Sequence, residues 1–279
     1  MTTVSNGTVS GKTKMDLSSA IGEKGRHTST LSNSWVLLKR CLKLNFKSGE
    51  QITVAVVVPV VMMLLFGYVF GGMMEMGASS FINFIVPGII IISIVQGATA
   101  TAITVNNDVK RGIMNRFKSM PISRAAVLVS HAAAAMLRGT VSTTATIVAA
   151  LFIGFTPEAS FGQWVGAIAI LLLFSFLMTW VGILVGLVVK DSESIGGIGF
   201  VLTLFPYLSS AFALTDTLPR PLEIFANAQP LTPIADTIRG LFTGSTLGNE
   251  LGLAIAWCVG LMLLAYLSAV QIFNKRLTK

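Results

Sequence analysis

The sequence predicts an all-α integral membrane protein with six transmembrane helices, and three observations lead there. Of the 279 residues, 53% are hydrophobic and only 11% charged, with a mean hydropathy of +0.77, whereas a soluble domain carries about 25% charged residues. Six apolar stretches are long enough to cross about 30 Å of hydrocarbon, which takes about 20 helical residues. The basic residues fall almost entirely between those stretches on one side. This composition excludes an ordinary cytosolic enzyme. The abundance of Leu, Ile, Val, Phe and Met without a short repeat excludes a disordered or fibrous chain.

From the N-terminus, residues 1–34 are polar and rich in Ser, Thr and Gly. They hold no apolar run that could act as a cleavable signal and are expected to form a disordered cytoplasmic tail, with 35–279 as the membrane domain. In residues 35–46, Leu37, Leu38, Cys41, Leu42 and Leu44 share one helical side with Trp35 and Phe46, while Lys39, Arg40, Lys43 and Lys47 cluster on the other. That pattern fits a basic amphipathic helix on the cytoplasmic membrane surface, or an orientation anchor, and the two are compatible.

The spans follow at 52–70, 81–105, 125–155, 164–189, 195–214 and 251–273. Pro59 and Pro87 fall inside spans one and two, where a bundle can satisfy the freed carbonyls. With the N-terminus in the cytoplasm, 17 of the 20 Lys and Arg lie inside, Arg220 and Arg239 lie outside, and Arg138 falls within span three. Both termini are therefore expected to be cytoplasmic. The same placement makes orientation in a bilayer, rather than nucleic-acid binding, the account of the +8 net charge.

Two connections are more than linkers. In the loop 106–123, Ile113, Met114, Phe117 and Met120 recur at helical spacing among basic residues until Pro121 breaks the pattern. A short cytoplasmic helix with an apolar face needs a cover, either the membrane surface or another protein. The external segment 215–250 is too long for a structureless loop. Ile224, Phe225, Leu231, Ile234, Ile238, Leu241 and Phe242 make it amphipathic, and Pro219, Pro221, Pro230 and Pro233 divide it. Short external helices dipping back toward the bilayer are expected, with Asp236 and Arg239, three apart, paired to close the outer face.

Chemistry is sparse. Gly7-Thr8-Val9-Ser10-Gly11-Lys12-Thr13 resembles a phosphate loop but has three residues between its glycines instead of four, and no strand precedes it. No zinc-protease or hydrolase motif occurs. Cys41 and Cys258 are too far apart in sequence to set a metal spacing. His131 reads as a polar contact near the cytoplasmic end of span three. The six spans hold no Asp or Glu, which argues against proton coupling. Arg138 lies 14 residues beyond Arg124, about 21 Å along a helix, and the favoured reading is that it snorkels to the headgroups. Hydroxyls and amides in spans two, three and five serve as helix glue or line a path.

The arrangement resembles the membrane subunit of type-2 ABC exporters, particularly the daunorubicin-resistance permease group, over residues 35–279. The resemblance rests on Asp108, Gly112 and Met120-Pro121-Ile122-Ser123 after span two, and on the Pro-Leu-Thr…Asp…Arg stretch running from Pro230 through Asp236 to Arg239. Many relatives carry Glu where this chain has Asp108. The resemblance implies that Asp108, Gly112, Ile113, Arg116, Phe117, Met120 and Pro121 belong to a coupling helix docking on a separate ABC ATPase subunit. Segment 35–46 would be a connecting helix on the same subunit. Two copies of each chain would assemble, with ATP and Mg held by the partner and no cofactor in this chain. A hydrophobic or amphiphilic compound (a drug, antibiotic or lipid) would leave through the plasma membrane between spans two and five, where Gln96, Thr99, Phe200, Thr203 and Phe205 are the candidate lining. Asp236 and Arg239 would be the external gate pair. The alternative is a self-contained secondary transporter or channel.

Overall fold

The computed structural model describes residues 49–70, 78–111, 124–213 and 218–278. The tail 1–34, the amphipathic segment 35–46 and the loop residues Gly112, Ile113, Arg116, Phe117, Met120 and Pro121 lie outside them. Among the described residues the secondary structure is helical, with short connections and no strands. Helix α1, Gly49–Leu64, continues as a π-helical stretch Leu65–Phe70; α2 is Ala78–Lys110, α3 Arg124–Ile153 and α4 Phe161–Val188. Helix α5, Ser192–Leu204, passes into a 3-10 turn Phe205–Leu208; α6 is Arg220–Ala228, α7 Leu231–Phe242 and α8 Glu250–Thr278.

Four helices, α2, α3, α4 and α8, are long and apolar enough to cross a membrane. They cover expected spans two, three, four and six. The two remaining spans take a different form. Span one is an α-helix of 16 residues followed by six in π geometry. Span five does not run as one helix to residue 214: its α-helical part has 13 residues. The change comes at Pro206, whose ring has no N–H to give and clashes with the carbonyl four residues back. The chain tightens there into the 3-10 turn and then bends at Ser209. Nor is 106–123 a loop from its start, because α2 carries helical geometry through Lys110.

Helix α2 is the centre of the bundle. Ile89, Ile90 and Ile91 are consecutive, so they point in three directions, and all three are at most 1% exposed. A helix apolar on every side belongs in a core. Helices α3 and α8 lie at the rim and leave large side chains such as Phe152 and Leu264 uncovered, as a lipid-facing helix can. The core joins α2 to α4 and, through Ile234, Ile238 and Phe242, to α7. Between α2 and α4 the backbones nearly touch: a Cβ on Gly182 would strike the Ala98 carbonyl, and one on Gly186 would come to 2.5 Å from the Ala102 carbonyl oxygen. Glycine and alanine repeating every fourth residue create this approach.

The helix ends follow local chemistry. Ser160 begins α4 with a capping box, its backbone N–H donating to Gln163 Oε1 at 2.8 Å. Gly154 ends α3 at φ +117°, a conformation that side-chain-bearing residues rarely adopt.

Candidate functional site

The main polar feature lies beside the middle of α2. Arg138, 14 residues into α3, is 7% exposed. Its Nη2 donates to the Gly97 carbonyl at 3.2 Å and to Thr101 Oγ1 at 2.7 Å. Thr101 in turn donates its own hydrogen to the Gly97 carbonyl at 2.8 Å, which leaves its oxygen to accept from the guanidinium. The snorkelling expectation is therefore overturned. The guanidinium turns sideways onto α2, where Gly97 has no side chain to stand in its way. A part-open cavity of about 310 Å³ adjoins this contact, lined from α2, α3 and α4 by Gln96, Gly97, Ser142, Ser175 and Thr179 among others. Ser93 and Ser142 bridge its edge at 3.2 Å.

The five candidate path residues divide between two places. Gln96 lines this cavity. Thr99 instead packs on Gly199 of α5, so closely that a Cβ there would strike the Thr99 hydroxyl. Thr203 turns its hydroxyl back to the Gly199 carbonyl at 2.8 Å. Phe200 is 66% exposed on the flank of α5, and Phe205 stands 6.0 Å from the Phe225 ring of α6.

At the bundle end where α2 finishes, Asp108 Oδ2 lies 3.4 Å from His131 Nε2, both side chains largely buried. Asp108 thus faces α3, while the rest of the candidate coupling set lies outside the described residues. Beside it the Asn106 amide donates to the Gly186 carbonyl at 3.3 Å and to that of Val189, satisfying carbonyls at the end of α4 that have no helical partner. Ser192, at the start of α5, donates to Asn106 Oδ1 at 3.5 Å. One amide therefore links α2, α4 and α5.

At the opposite end, α6 and α7 fold against the bundle. Ser210 donates twice to Thr232, from its backbone N–H to the hydroxyl at 3.4 Å and from its own hydroxyl to the carbonyl at 3.3 Å, and Gln229 donates to the Leu208 carbonyl at 2.6 Å. Arg239 gathers the region: it pairs with Asp236 at 2.8 Å, donates to the carbonyls of Ser210 at 2.6 Å and Phe84 at 3.3 Å, and lies 4.2 Å over the Phe84 ring. Burial pushes the Asp236 carboxyl up, opposed by its hydrogen bond with Ser210 and by the Arg239 charge. The same burial pulls Arg239 down, opposed by Asp236. Among the described residues no three His, Cys, Asp or Glu side chains gather as a metal would need.

The family model described as an ABC-2 type transporter matches residues 32–243. The chain belongs to the ABC-2 type transporter family. It is similar to the daunorubicin resistance ABC transporter permease protein DrrB1 of Streptomyces coeruleorubidus, 27% identical over 256 residues that cover 91% of this chain and 89% of that protein. It is also similar to the inner membrane transport permease YadH of Escherichia coli K12, 25% identical over 219 residues covering 75% and 84%. This ABC-2 family member is accordingly a multi-pass helical membrane protein and a transport component.

Within the ABC-2 chain, sequence reasoning passed over two features. In the sequence Asn106 reads as the first residue of a loop, and a lone amide carries no sign of its partners 80 residues away. Gly182 and Gly186 stood unremarked in an apolar span, although their spacing of four is a recognised signal of close helix approach.

Proposed function

We propose that this chain is the permease subunit of an ATP-driven exporter that moves a hydrophobic or amphiphilic compound (drug, antibiotic or lipid) out of the cytoplasm or inner leaflet. Two copies of the chain pair in the plasma membrane, and two copies of a separate ABC ATPase supply ATP and Mg. The single observation carrying this reading is the family match, which runs from residue 32 through the whole candidate coupling loop to the end of α7.

Local features agree. The 22 residues of α1 and its π extension reach about 33 Å, and α5 with its 3-10 turn about 28 Å, so these two serve as the remaining spans of a six-span bundle with both termini cytoplasmic. Helices α6 and α7 act as external re-entrant pieces, with Asp236 and Arg239 as the gate pair. The exposed flank of α5 at Phe200 and Val201 offers an apolar face for the second copy, and Phe200, Thr203 and Phe205 would border the path there with Thr99, while Gln96 would border it from the cavity between α2, α3 and α4. Asp108, Gly112, Ile113, Arg116, Phe117, Met120 and Pro121 engage the ATPase.

The test is co-purification of the full chain with its ABC ATPase from membranes. Association lost in the Phe117→Asp, Met120→Asp double variant, which still inserts, is the expected result. Unchanged association overturns the coupling assignment. Uptake by vesicles holding this chain alone, without ATP, would instead establish the secondary-transporter reading.

A further inference from the structure

We propose that the cavity between α2, α3 and α4 is a binding site for the anionic head, carboxylate or phosphate, of an amphiphilic molecule, with the Arg138 guanidinium as its electrostatic anchor. Taken with the export reading, on which this step rests, it names the cargo class: an amphiphile with an acidic head.

The argument starts from cost. A charged side chain at the middle of a span is expensive and marks function by default. Arg138 has 14 residues of α3 before it and 15 after it, so it lies near the middle of the helix. Its guanidinium presents planar N–H donors that match carboxylate and phosphate geometry. Around it the cavity carries the Gln96 amide and the Ser142 and Ser175 hydroxyls, while the Thr179 hydroxyl donates back to the Ser175 carbonyl at 2.8 Å, and among the described residues no acidic side chain lines it. Apolar walls come from Ile94, Ala98 and Ala135. At about 310 Å³ it sits at the lower bound of small-molecule pockets, about 300 Å³. That volume suits a head group whose tail continues into the open side.

Gly97 gives the site its room. A Cβ built there meets no atom within 4 Å. The glycine therefore leaves empty volume next to the guanidinium. The cavity is also separate from the α5 flank: Thr99 fills the contact with Gly199, whereas Gln96 opens onto the cavity.

The test uses the full chain in phosphatidylcholine nanodiscs without ATPase or ATP, with Cys41→Ser and Cys258→Ala removing native thiols and Gln96→Cys placing a reporter in the cavity. Its rate of reaction with an anionic methanethiosulfonate (ethylsulfonate) is compared with that of the cationic trimethylammonium reagent. The anionic preference is expected to fall about tenfold or more in Arg138→Gln, as removal of one unit charge in a low-dielectric site requires, and to persist in Arg138→Lys. Dodecyl phosphate is expected to protect the thiol and dodecyltrimethylammonium is not. Gly97→Leu, which fills the cavity while keeping the charge, is expected to abolish that protection.

Replacing a fraction of the phosphatidylcholine by phosphatidylglycerol separates the two sources of such a head. Protection by that lipid identifies a bilayer headgroup; protection by dodecyl phosphate alone identifies a mobile amphiphile. An unchanged preference in Arg138→Gln, protection that survives Gly97→Leu, or a thiol that neither reagent reaches overturns the proposal. These outcomes leave the export reading standing, and ATPase association unchanged in the Phe117→Asp, Met120→Asp double variant leaves this site standing, so the two fail separately.

Discussion

Replacing Gly182 and Gly186 together by Ala tests the close approach of α2 and α4. In an ordinary helix interior, Gly→Ala is favourable by about 1 kcal/mol per site. Here each new methyl meets backbone: the Ala98 carbonyl at Gly182, and the Ala102 carbonyl together with Val105 Cβ at Gly186. A carbonyl in a helix cannot swing aside, so the two helices must separate, and overpacking of that kind costs about 1–3 kcal/mol per site. The clash exceeds the propensity gain, and the pair is expected to lose about 2 kcal/mol net. At about 2–4 °C per kcal/mol for a chain of this size, the melting midpoint should drop by about 4–8 °C. The assay is size-exclusion of detergent-solubilised protein after a heating series, with Gly260→Ala as reference, because a Cβ there meets nothing within 4 Å. The reference should hold or rise. A double variant that melts at or above the parent, in step with the reference, would show that the backbones are not in contact and would refute the reasoning.

Four further outcomes are expected. Arg239→Lys keeps the charge but loses the planar fork, so the Phe84 and Ser210 carbonyls compete for one ammonium; about 2 kcal/mol should be lost, with faster amide exchange in 205–213. Asp108→Asn, His131→Ala and the double variant should give a coupling energy of about 1 kcal/mol in a thermodynamic cycle, and additive effects would deny the 3.4 Å pair. Gly199→Ala should reduce stability through Thr99 and be restored by adding Thr99→Ala, as measured by the same heating series; absence of rescue would mean that α5 does not rest on α2 there. Asn106→Ala, which strips partners from the Gly186 and Val189 carbonyls, should lose about 1–3 kcal/mol, whereas an exposed loop residue would lose almost nothing.

Whatever depends on length and apolarity was readable in the chain itself. Long runs without charge can only be membrane helices or a very large core, and α2, α3, α4 and α8 begin and end close to the expected limits. The spacing of Asp236 and Arg239 was likewise readable, because one helical turn sets their proximity. Azimuth was not. Distance along α3 placed Arg138 about 21 Å from Arg124, but nothing local says which neighbour a side chain turns to, and the choice of α2 depended on a bare carbonyl at Gly97, 41 residues earlier. Span five misled for another reason. Its hydrophobicity continues past Pro206, so an apolar window sees one helix where the missing N–H ends it. The carbonyl partners of Arg239 come from Phe84 and Ser210, and no periodicity within 231–242 points to them.

The glycine–alanine seam, fastened at one end by Asn106 and reached at the other by the clasp of Arg239 on Phe84, turns α2 and α4 into a single stiff strut. From Lys110 back to Phe84 is 26 residues, about 39 Å of helix. Apart from Pro87 near its far end, this strut has no break in its backbone, so a tilt imposed at one tip is expected to reappear as displacement of α7 at the other, like a tiller moving a rudder.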